Sequence, residues 1–476
     1  MNLSQSIVSR IDPRLSGLDE RAGTIVAQAG ISGAPVLLCW SFPLDSADLL
    51  PAMAEPVSGE FRFYWEQPGR DFALAAGGEA MSHQGHGGKR FEDAGVWADG
   101  VCASAITGTP DGATNPGPYL VGGFSFFEVL DEASWRGFDP ARLVAPAWLA
   151  LREGDSPRGM VQMKVEPGLS PEGLLAKAGG LLERFDHALR GRHPQEAGNN
   201  RAFKVKERRD GRENWIEIVR HARDRIRAGE LTKVVLARAL DLECETPPTP
   251  VVLLDRLRKT YPDCYNFLVD PGRGEMFLGS SPERMFRFRN GTVELAALAG
   301  TAPRGATPEA DAMQARQLLE SRKEREEHQI VVDGILASIS SLGRVEHPEE
   351  PEVCKFSNLQ HLYTPITLQP VKAVSPFTLL GRIHPTSAVG GHPQAEAFRL
   401  IRECESFDRG WYGAPLGWLN AHGEGEFAVA LRTGTLSGQR MQLFAGGGIV
   451  AQSDPDREYE ETQIKFQPLL SALGSE

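Results

Sequence analysis

The feature that most constrains the fold of this chain is a segment near its C-terminus, residues 443–465, in which an apolar run leads through three glycines into a polar run. The first part, Leu443 to Val450, predicts a β-strand that ends in a glycine turn. Ser453, Asp454 and Pro455 then have the pattern of a helix start, because a capping side chain is followed by proline. Glycines allow close approach of a ligand, and the N–H groups of a turn or helix N-terminus favour anions. The segment therefore predicts a seat for a phosphate or a carboxylate.

The predicted helix after this turn carries Glu458, Glu461 and Lys465. Their spacing places two carboxylates and one ammonium group on the same helix face, beside the glycines. Taken alone, such charges are typical of a solvent-exposed helix. Whether these charges form a functional site depends on the acids elsewhere in the chain.

A second pair of acids, Glu324 and Glu327, lies in a helix that we predict over residues 308–342, with a break near its start. The charges of residues 322–327 could also pair among themselves. Four carboxylates from two helices would form an all-oxygen site for a hard divalent cation. Mg²⁺ fits best, because it takes one or two direct carboxylates and keeps several waters. A di-iron centre would need His three residues after Glu, whereas His328 directly follows Glu327.

Composition limits the classes of function. The chain has 476 residues, of which 41% are hydrophobic and 24% charged, enough for a large core or several domains. A net charge of −12 without a long basic run argues against a nucleic-acid partner. The six cysteines are scattered without a Cys-x-x-Cys pair, so neither a disulfide framework nor a thiolate metal site is indicated. No signal-peptide pattern and no apolar run of about 18 residues occurs, which predicts a cytoplasmic protein without membrane contact.

A linker is predicted at residues 191–200, which are rich in Gly, Pro and Asn. It divides the chain into an N-terminal part, residues 1–199, and a C-terminal region, residues 200–476, that holds the motifs described here. The two parts can be separate subdomains or two interleaved halves of one core, because the sequence does not show how sheets are shared.

An ordered set of motifs over about residues 215–473 resembles the chorismate-utilising enzymes, while the first 200 residues match them only loosely. Many motifs in a fixed order are more specific than any one of them. The motifs are Lys233-Val-Val-Leu-Ala-Arg238, Gly279-Ser-Ser-Pro-Glu283, Leu298-Ala-Gly-Thr301, Glu324-x-x-Glu327-His328, His384-Pro-Thr386, Gly410-Trp-Tyr412-Gly413, Phe444-Ala-Gly-Gly-Gly-Ile449 and Ser453-Asp-Pro455 through Glu458-x-x-Glu461.

The resemblance implies a large α/β fold of the α+β kind, in which stacked antiparallel sheets are flanked by helices. It also implies that Mg²⁺ holds the ring carboxylate of chorismate, with Glu327 and Glu461 as direct or near-direct ligands and Glu324 and Glu458 in support through water. The two substrate carboxylates would be held, and the ring contacted, by a further set of residues. These are Gly300, Thr301, Tyr412, Arg432, Gly446 and Lys465 for the carboxylates, and His361 along the ring.

Within this family, Lys233 and Glu283 resemble the catalytic pair of isochorismate synthases, and the menaquinone type is most similar. The lysine would be the general base on a water that attacks C2, and a protonated Glu283 would donate to the departing C4 hydroxyl. Anthranilate synthases usually carry Gln at the position of Lys233, and aminodeoxychorismate synthases a nucleophilic Lys where Ala299 stands. The resemblance therefore implies no glutamine amidotransferase subunit.

Three other interpretations stay open or are disfavoured. Salicylate synthases share the lysine, the glutamate and the metal motifs and go on to eliminate pyruvate, and Lys233 does not exclude them. A catalytically inactive chorismate-binding paralogue is disfavoured, because every acid, base and metal position is filled. Nucleotide binding by the glycine segment lacks a supporting Gly-x-x-x-x-Gly-Lys-[Ser/Thr] or Gly-x-Gly-x-x-Gly context. The sequence does not distinguish menaquinone from siderophore biosynthesis.

Overall fold

The computed structural model describes residues 12–45, 48–54, 59–113, 117–131, 135–154, 156–191, 211–244 and 249–474, which contain 22 strands and 10 α-helices. The helices are α1 (Leu18–Ser32), α2 (Arg90–Ser104), α3 (Pro171–Leu189), α4 (Gly211–Arg227), α5 (Pro250–Thr260), α6 (Pro308–Glu320), α7 (Arg322–Ile339), α8 (Pro376–Ile383), α9 (Gln394–Cys404) and α10 (Pro455–Leu473). The strands are β1 (Val36–Pro43), β2 (Arg62–Gln67), β3 (Phe72–Gly77), β4 (Met81–Gly85), β5 (Ile106–Gly108), β6 (Tyr119–Phe124), β7 (Ala141–Ala145), β8 (Trp148–Glu153), β9 (Arg158–Val165), β10 (Lys233–Glu243), β11 (Tyr265–Asp270), β12 (Met276–Ser281), β13 (Arg284–Arg289), β14 (Thr292–Pro303), β15 (Gly343–Glu346), β16 (Glu352–Lys355), β17 (Leu359–Pro370), β18 (Gly391–His392), β19 (Pro415–Asn420), β20 (Gly425–Val429), β21 (Thr433–Ser437) and β22 (Arg440–Ile449).

The strands form two large sheets. The first has 12 strands in the order β18-β10-β22-β21-β12-β11-β2-β3-β8-β9-β1-β5. The second has 10 strands, in the order β15-β17-β14-β13-β20-β19-β6-β7-β4 with β16 also paired to β17. Among the strands that the structure describes, β1 and β5 form the one parallel pair.

Both sheets contain strands from the N-terminal and the C-terminal parts of the chain. In the first sheet β2 pairs with β11, and in the second β6 pairs with β19, both antiparallel. Most of the predicted linker, from residue 192 onward, and the predicted boundary between residues 199 and 200 lie outside the described residues. The division into 1–199 and 200–476 stays a prediction.

On β2 of the first sheet, successive side chains face two different cores. Phe63 and Trp65 on β2 join the buried cluster that the two sheets share, whereas Tyr64 between them joins a cluster that includes residues of α1, α3, α5 and α10. Across the sheets, the ring of Phe72 on β3 stacks on Trp418 of β19, with 5.1 Å between the centroids. The predicted α+β architecture, stacked antiparallel sheets flanked by helices, is therefore confirmed.

The helix predicted over residues 308–342 is two helices, α6 and α7, and the break lies at Ser321 in its middle rather than near its start. Ser321 has extended backbone angles, and its hydroxyl accepts a hydrogen bond from the Glu324 N–H at 3.4 Å. It is a helix N-cap, and it sets where α7 and its acids begin.

The three glycines of the C-terminal segment lie inside β22, so the prediction of a glycine turn was wrong. The strand pairs with β10, with Leu236 opposite Gly447 and Val235 opposite Gly448. The predicted helix start is correct: α10 begins at Pro455, and the Asp454 carboxylate accepts the N–H groups of the next turn.

Candidate active site

The predicted site residues meet at one buried cavity between the two sheets and helices α7 and α10. Ten of the thirteen predicted positions line it directly. They are Glu283, Gly300, Thr301, Glu327, His361, Tyr412, Arg432, Gly446, Glu461 and Lys465.

Gly446 and Gly448 of β22 form part of one wall of this cavity, and the site explains why both are glycines. A Cβ atom at Gly448 would lie 2.0 Å from Oε1 of Glu327, and one at Gly446 would lie 3.0 Å from the Tyr412 hydroxyl. The Gly446 carbonyl accepts a hydrogen bond from Lys465 Nζ at 2.8 Å. The strand therefore contributes backbone, which leaves room for functional side chains from other elements.

Lys233 lies behind Glu327, away from the cavity surface. Its Nζ atom is 3.0 Å from Oε1 of Glu327, and its side chain is fully buried at the start of β10. Glu283, in the connection between β12 and β13, is buried beside the cavity. Burial raises the pKa of Glu283 to about 7, although Lys233, Arg432 and Lys465 act to lower it. Glu283 is thus a carboxyl group that is partly protonated near neutral pH.

The other three acids are each held by a lysine. Lys323 Nζ is 2.9 Å from Oε1 of Glu458 and 3.2 Å from Oε1 of Glu324, while Lys465 pairs with Glu461 one turn earlier on α10. Burial and the charge of Glu461 raise the pKa of Glu458 to about 7, against the effect of Lys323. Burial also acts to raise the pKa of Glu461, but Lys465 and Lys323 outweigh it and lower the value to about 2.

These acids fit a hard cation, although in the described part of the chain no three Asp, Glu, His or Cys side chains are close enough, as they stand, to bind a metal. Oε2 of Glu458 is buried without a hydrogen-bond partner, which is costly for a carboxylate oxygen. The donor set is all oxygen, as Mg²⁺ prefers. Glu458 and Glu324 line a second cleft that shares Thr301 and Glu461 with the cavity.

A bulge in β14 places Thr301 and His361 together. Gly300 has φ of 75°, and the register with β17 shifts between Ala299 and Thr301. The Thr301 N–H donates to Glu324 Oε2 at 3.0 Å, which ties the bulge to α7. Nδ1 of His361 lies 3.2 Å from the Gly300 carbonyl oxygen. Burial and nearby cations lower the pKa of His361 to about 3, so the ring is neutral, Nδ1 carries the proton and Nε2 is an acceptor.

Tyr412 and Arg432 complete the opposite side of the cavity. The Tyr412 ring stacks on Phe444 with 5.4 Å between centroids, and burial raises the pKa of its hydroxyl to about 12, so it is a donor. Arg432 is buried. Its φ of 53° is a left-handed backbone conformation that residues other than Gly rarely adopt. A strained backbone at a buried arginine is typical of a functional site.

Sequence reasoning missed Lys323 and Arg409. The sequence allowed the charges of residues 322–327 to pair among themselves. Arg322 with Glu326 and Lys323 with Glu324 do so, but Lys323 also reaches across to Glu458 of α10. Arg409 lines the cavity, pairs with Glu405 and donates to the carbonyls of Val235 and Val389. Glu405 and Arg409 lie after α9, which ends at Cys404, so no helical spacing pointed to Arg409.

The fold and this site define a known class. Residues 24–474 match the family model described as "chorismate binding enzyme", and the chain belongs to that family. It is 36% identical to the salicylate biosynthesis isochorismate synthase of Pseudomonas aeruginosa over 98% of this chain and 97% of that protein. It is 37% identical to the isochorismate synthase MenF of Bacillus subtilis over 76% of this chain and 75% of that one.

A solved structure shares this architecture. The menaquinone-specific isochorismate synthase MenF from Escherichia coli superposes with a TM-score of 0.75 at 25% identity, covering 93% of this chain and 95% of the other. Among the described residues, no helix is long and apolar enough to cross a membrane.

Proposed function

We propose that this chain is an isochorismate synthase, which converts chorismate to isochorismate by attack of water at C2 and loss of the C4 hydroxyl. The observation that carries the proposal is Glu283, a carboxyl group buried at the cavity with a pKa raised to about 7. An acid of this kind can donate a proton to a departing hydroxyl at neutral pH, which an ordinary surface carboxylate does poorly. The names of the relatives that cover most of the chain agree with this chemistry.

Lys233 is the proposed general base. It lies near enough to Glu283 to affect that group's pKa, and its amine is held by Glu327 at 3.0 Å. A general base must be able to reach the proton that it removes, and the Glu327 side chain lies between Lys233 and the cavity.

The remaining residues of the cavity hold a dianion. Arg432 and Lys465 supply positive charge, the Tyr412 hydroxyl is a donor, and Nε2 of the neutral His361 is an acceptor for a ring hydroxyl. We propose Glu327, Glu461, Glu324 and Glu458 as the residues that hold Mg²⁺. When bound, the ion would neutralise carboxylate charge on the substrate.

We also propose that the chain acts alone in the cytoplasm, without a glutamine amidotransferase subunit. The nucleophile in this reaction is water, which needs no ammonia-generating partner. Turnover by the purified chain without added protein tests this point.

The test of the reaction is to incubate the purified chain with chorismate, first with Mg²⁺, then with EDTA, and then with Mg²⁺ restored, and to separate the products by chromatography. We expect isochorismate that depends on the metal, without salicylate. Salicylate with pyruvate would assign the chain to the salicylate synthases instead. Chorismate binding without any product would identify an inactive paralogue.

A further inference from the structure

The ammonium group of Lys323 contacts two of the four proposed metal ligands, Glu458 and Glu324. It is 2.9 Å from Oε1 of Glu458 and 3.2 Å from Oε1 of Glu324. Glu324 and Glu458 belong to different helices, α7 and α10, so one lysine links the acids of both.

Lys323 provides hydrogen-bond partners for only part of this carboxylate cluster. The three ammonium groups of Lys233, Lys323 and Lys465 each pair with at least one of the four carboxylates. Oε2 of Glu458 has no hydrogen-bond partner although its residue is only 1% exposed. A divalent cation would supply a partner for this oxygen.

The Lys323 side chain has a route out of the cluster. A cleft of about 430 Å³ is lined by Lys323 together with Glu324, Glu458 and Glu461. The side chain of Lys323 is 25% exposed, whereas that of Glu458 is 1% exposed. A cation that enters this cleft comes close to the ammonium group, and two cations at the same carboxylate oxygens repel each other.

We propose that Lys323 is the built-in counter-ion of the metal site, which neutralises the carboxylates in the metal-free protein and leaves Glu458 and Glu324 when Mg²⁺ binds. The inference rests on the Mg²⁺ site of the proposed function. It means that metal binding is a competition between two cations, so that Lys323 weakens Mg²⁺ binding while it stabilises the metal-free chain.

The test is calorimetric titration of MgCl₂ into the metal-free full-length chain and its Lys323→Met variant, in the absence of substrate. We expect Lys323→Met to bind Mg²⁺ about tenfold more tightly or better, because the competing cation is gone. The matched control is Arg322→Met, which removes one positive charge from the adjacent position, where the side chain is 87% exposed and pairs with Glu326. Its affinity should stay within about threefold of the unmodified chain, as for other surface charges.

Equal or weaker Mg²⁺ binding by Lys323→Met would overturn the inference while the metal site stands. Absence of Mg²⁺ binding in all three proteins would overturn the metal site itself. Melting temperatures in EDTA give a second measure: Lys323→Met should unfold at a lower temperature than Arg322→Met, because it leaves buried carboxylates unpaired. Equal melting temperatures would contradict the stabilising role.

Displacement can also be measured on the unmodified chain. Acetylation of Lys323 by an N-hydroxysuccinimide ester, followed by mass spectrometry, should be about threefold faster or more with Mg²⁺ than with EDTA, because displacement exposes the amine. Lys259, which is 64% exposed and pairs with Asp255, is the control site and should react equally in both. An unchanged or slower rate at Lys323 would contradict displacement.

Discussion

Glu283 can act as an acid because burial holds its proton near neutral pH. The pKa of Glu283 is about 7, whereas the pKa of Glu461 is about 2 and that of His361 about 3. At neutral pH, Glu461 is therefore charged and His361 is neutral, and Glu283 is the member of the three that can change its protonation state. Groups whose pKa values are pushed apart in this way divide acid and charge-holding roles between them.

We expect turnover to fall as the pH rises through about 7, because Glu283 must be protonated to donate. Glu283→Gln keeps the shape but cannot transfer a proton, so its turnover should be about 10²- to 10⁴-fold lower. The folded-state pKa lies above the usual 4.5, so Glu283 makes the folded chain less stable as the pH rises from 4.5 to about 7, and the loss is complete above that range. Glu283→Gln should therefore melt at a higher temperature than the unmodified chain at about pH 8. The pH profile of kcat checks the predicted turnover, and thermal denaturation checks the predicted melting temperature.

The control is Glu183→Gln, on an exposed position of α3, which should alter neither turnover nor melting temperature. A turnover rate that stays level across pH 7 would contradict the acid role of Glu283. A lower melting temperature of Glu283→Gln at pH 8 would contradict its raised pKa.

At the scale of secondary structure, glycines in β22 leave the space in which side chains from other elements form the site. A Cβ at Gly448 would lie 2.0 Å from Oε1 of Glu327, but a Cβ at the neighbouring Gly447 would have its nearest contact at 3.4 Å, to Oε2 of Glu458. The two positions lie on opposite faces of the same strand and differ in what they meet. Only Gly448 must be glycine to leave room for the Glu327 side chain.

We expect Gly448→Ala to lower kcat/KM about 100-fold, because the new methyl group must push Glu327 away from Lys233, and a shift near 1 Å is enough for such a loss. Gly447→Ala is the matched control and should change kcat/KM by less than about threefold, because its contact is of ordinary van der Waals length. Steady-state kinetics and far-UV circular dichroism separate catalysis from folding. Similar losses in both variants would show that strand pairing, and not the Glu327 contact, requires the glycines.

At the scale of the whole molecule, the continuity of both sheets joins the two parts of the chain. Strand β11 pairs with β2 on one side and with β12 on the other, and β19 pairs with β6 and with β20. All the predicted site residues come from the C-terminal region, but the sheets that support them are completed by N-terminal strands. Removing those strands would expose two long sheet edges.

We therefore expect residues 211–476, expressed alone, to aggregate or stay unfolded, because β11 and β19 would become unpaired edges with buried apolar side chains exposed. Size-exclusion chromatography and circular dichroism of this fragment check the expectation, with the full chain purified in parallel as the control. A soluble, monomeric fragment that turns over chorismate would contradict it and support separate domains.

Local features of this protein were predictable from the sequence. The start of α10 at Asp454 and Pro455, and the shared face of Glu458, Glu461 and Lys465, depend on capping and on a helical repeat that neighbouring residues determine. The family and the architecture followed from many motifs in order, and the comparisons confirm them.

Only the tertiary structure decided which partners these residues have. The glycines of β22 belong to a strand because β10, about 200 residues earlier in the sequence, pairs with them. Lys323 pairs with its neighbour Glu324, as the sequence allowed, but also with Glu458, 135 residues away. The raised pKa of Glu283 depends on burial beneath strands from distant parts of the chain. Local propensity decides where a helix begins, but strand pairing, burial and ion partners depend on contacts between segments that are far apart in sequence.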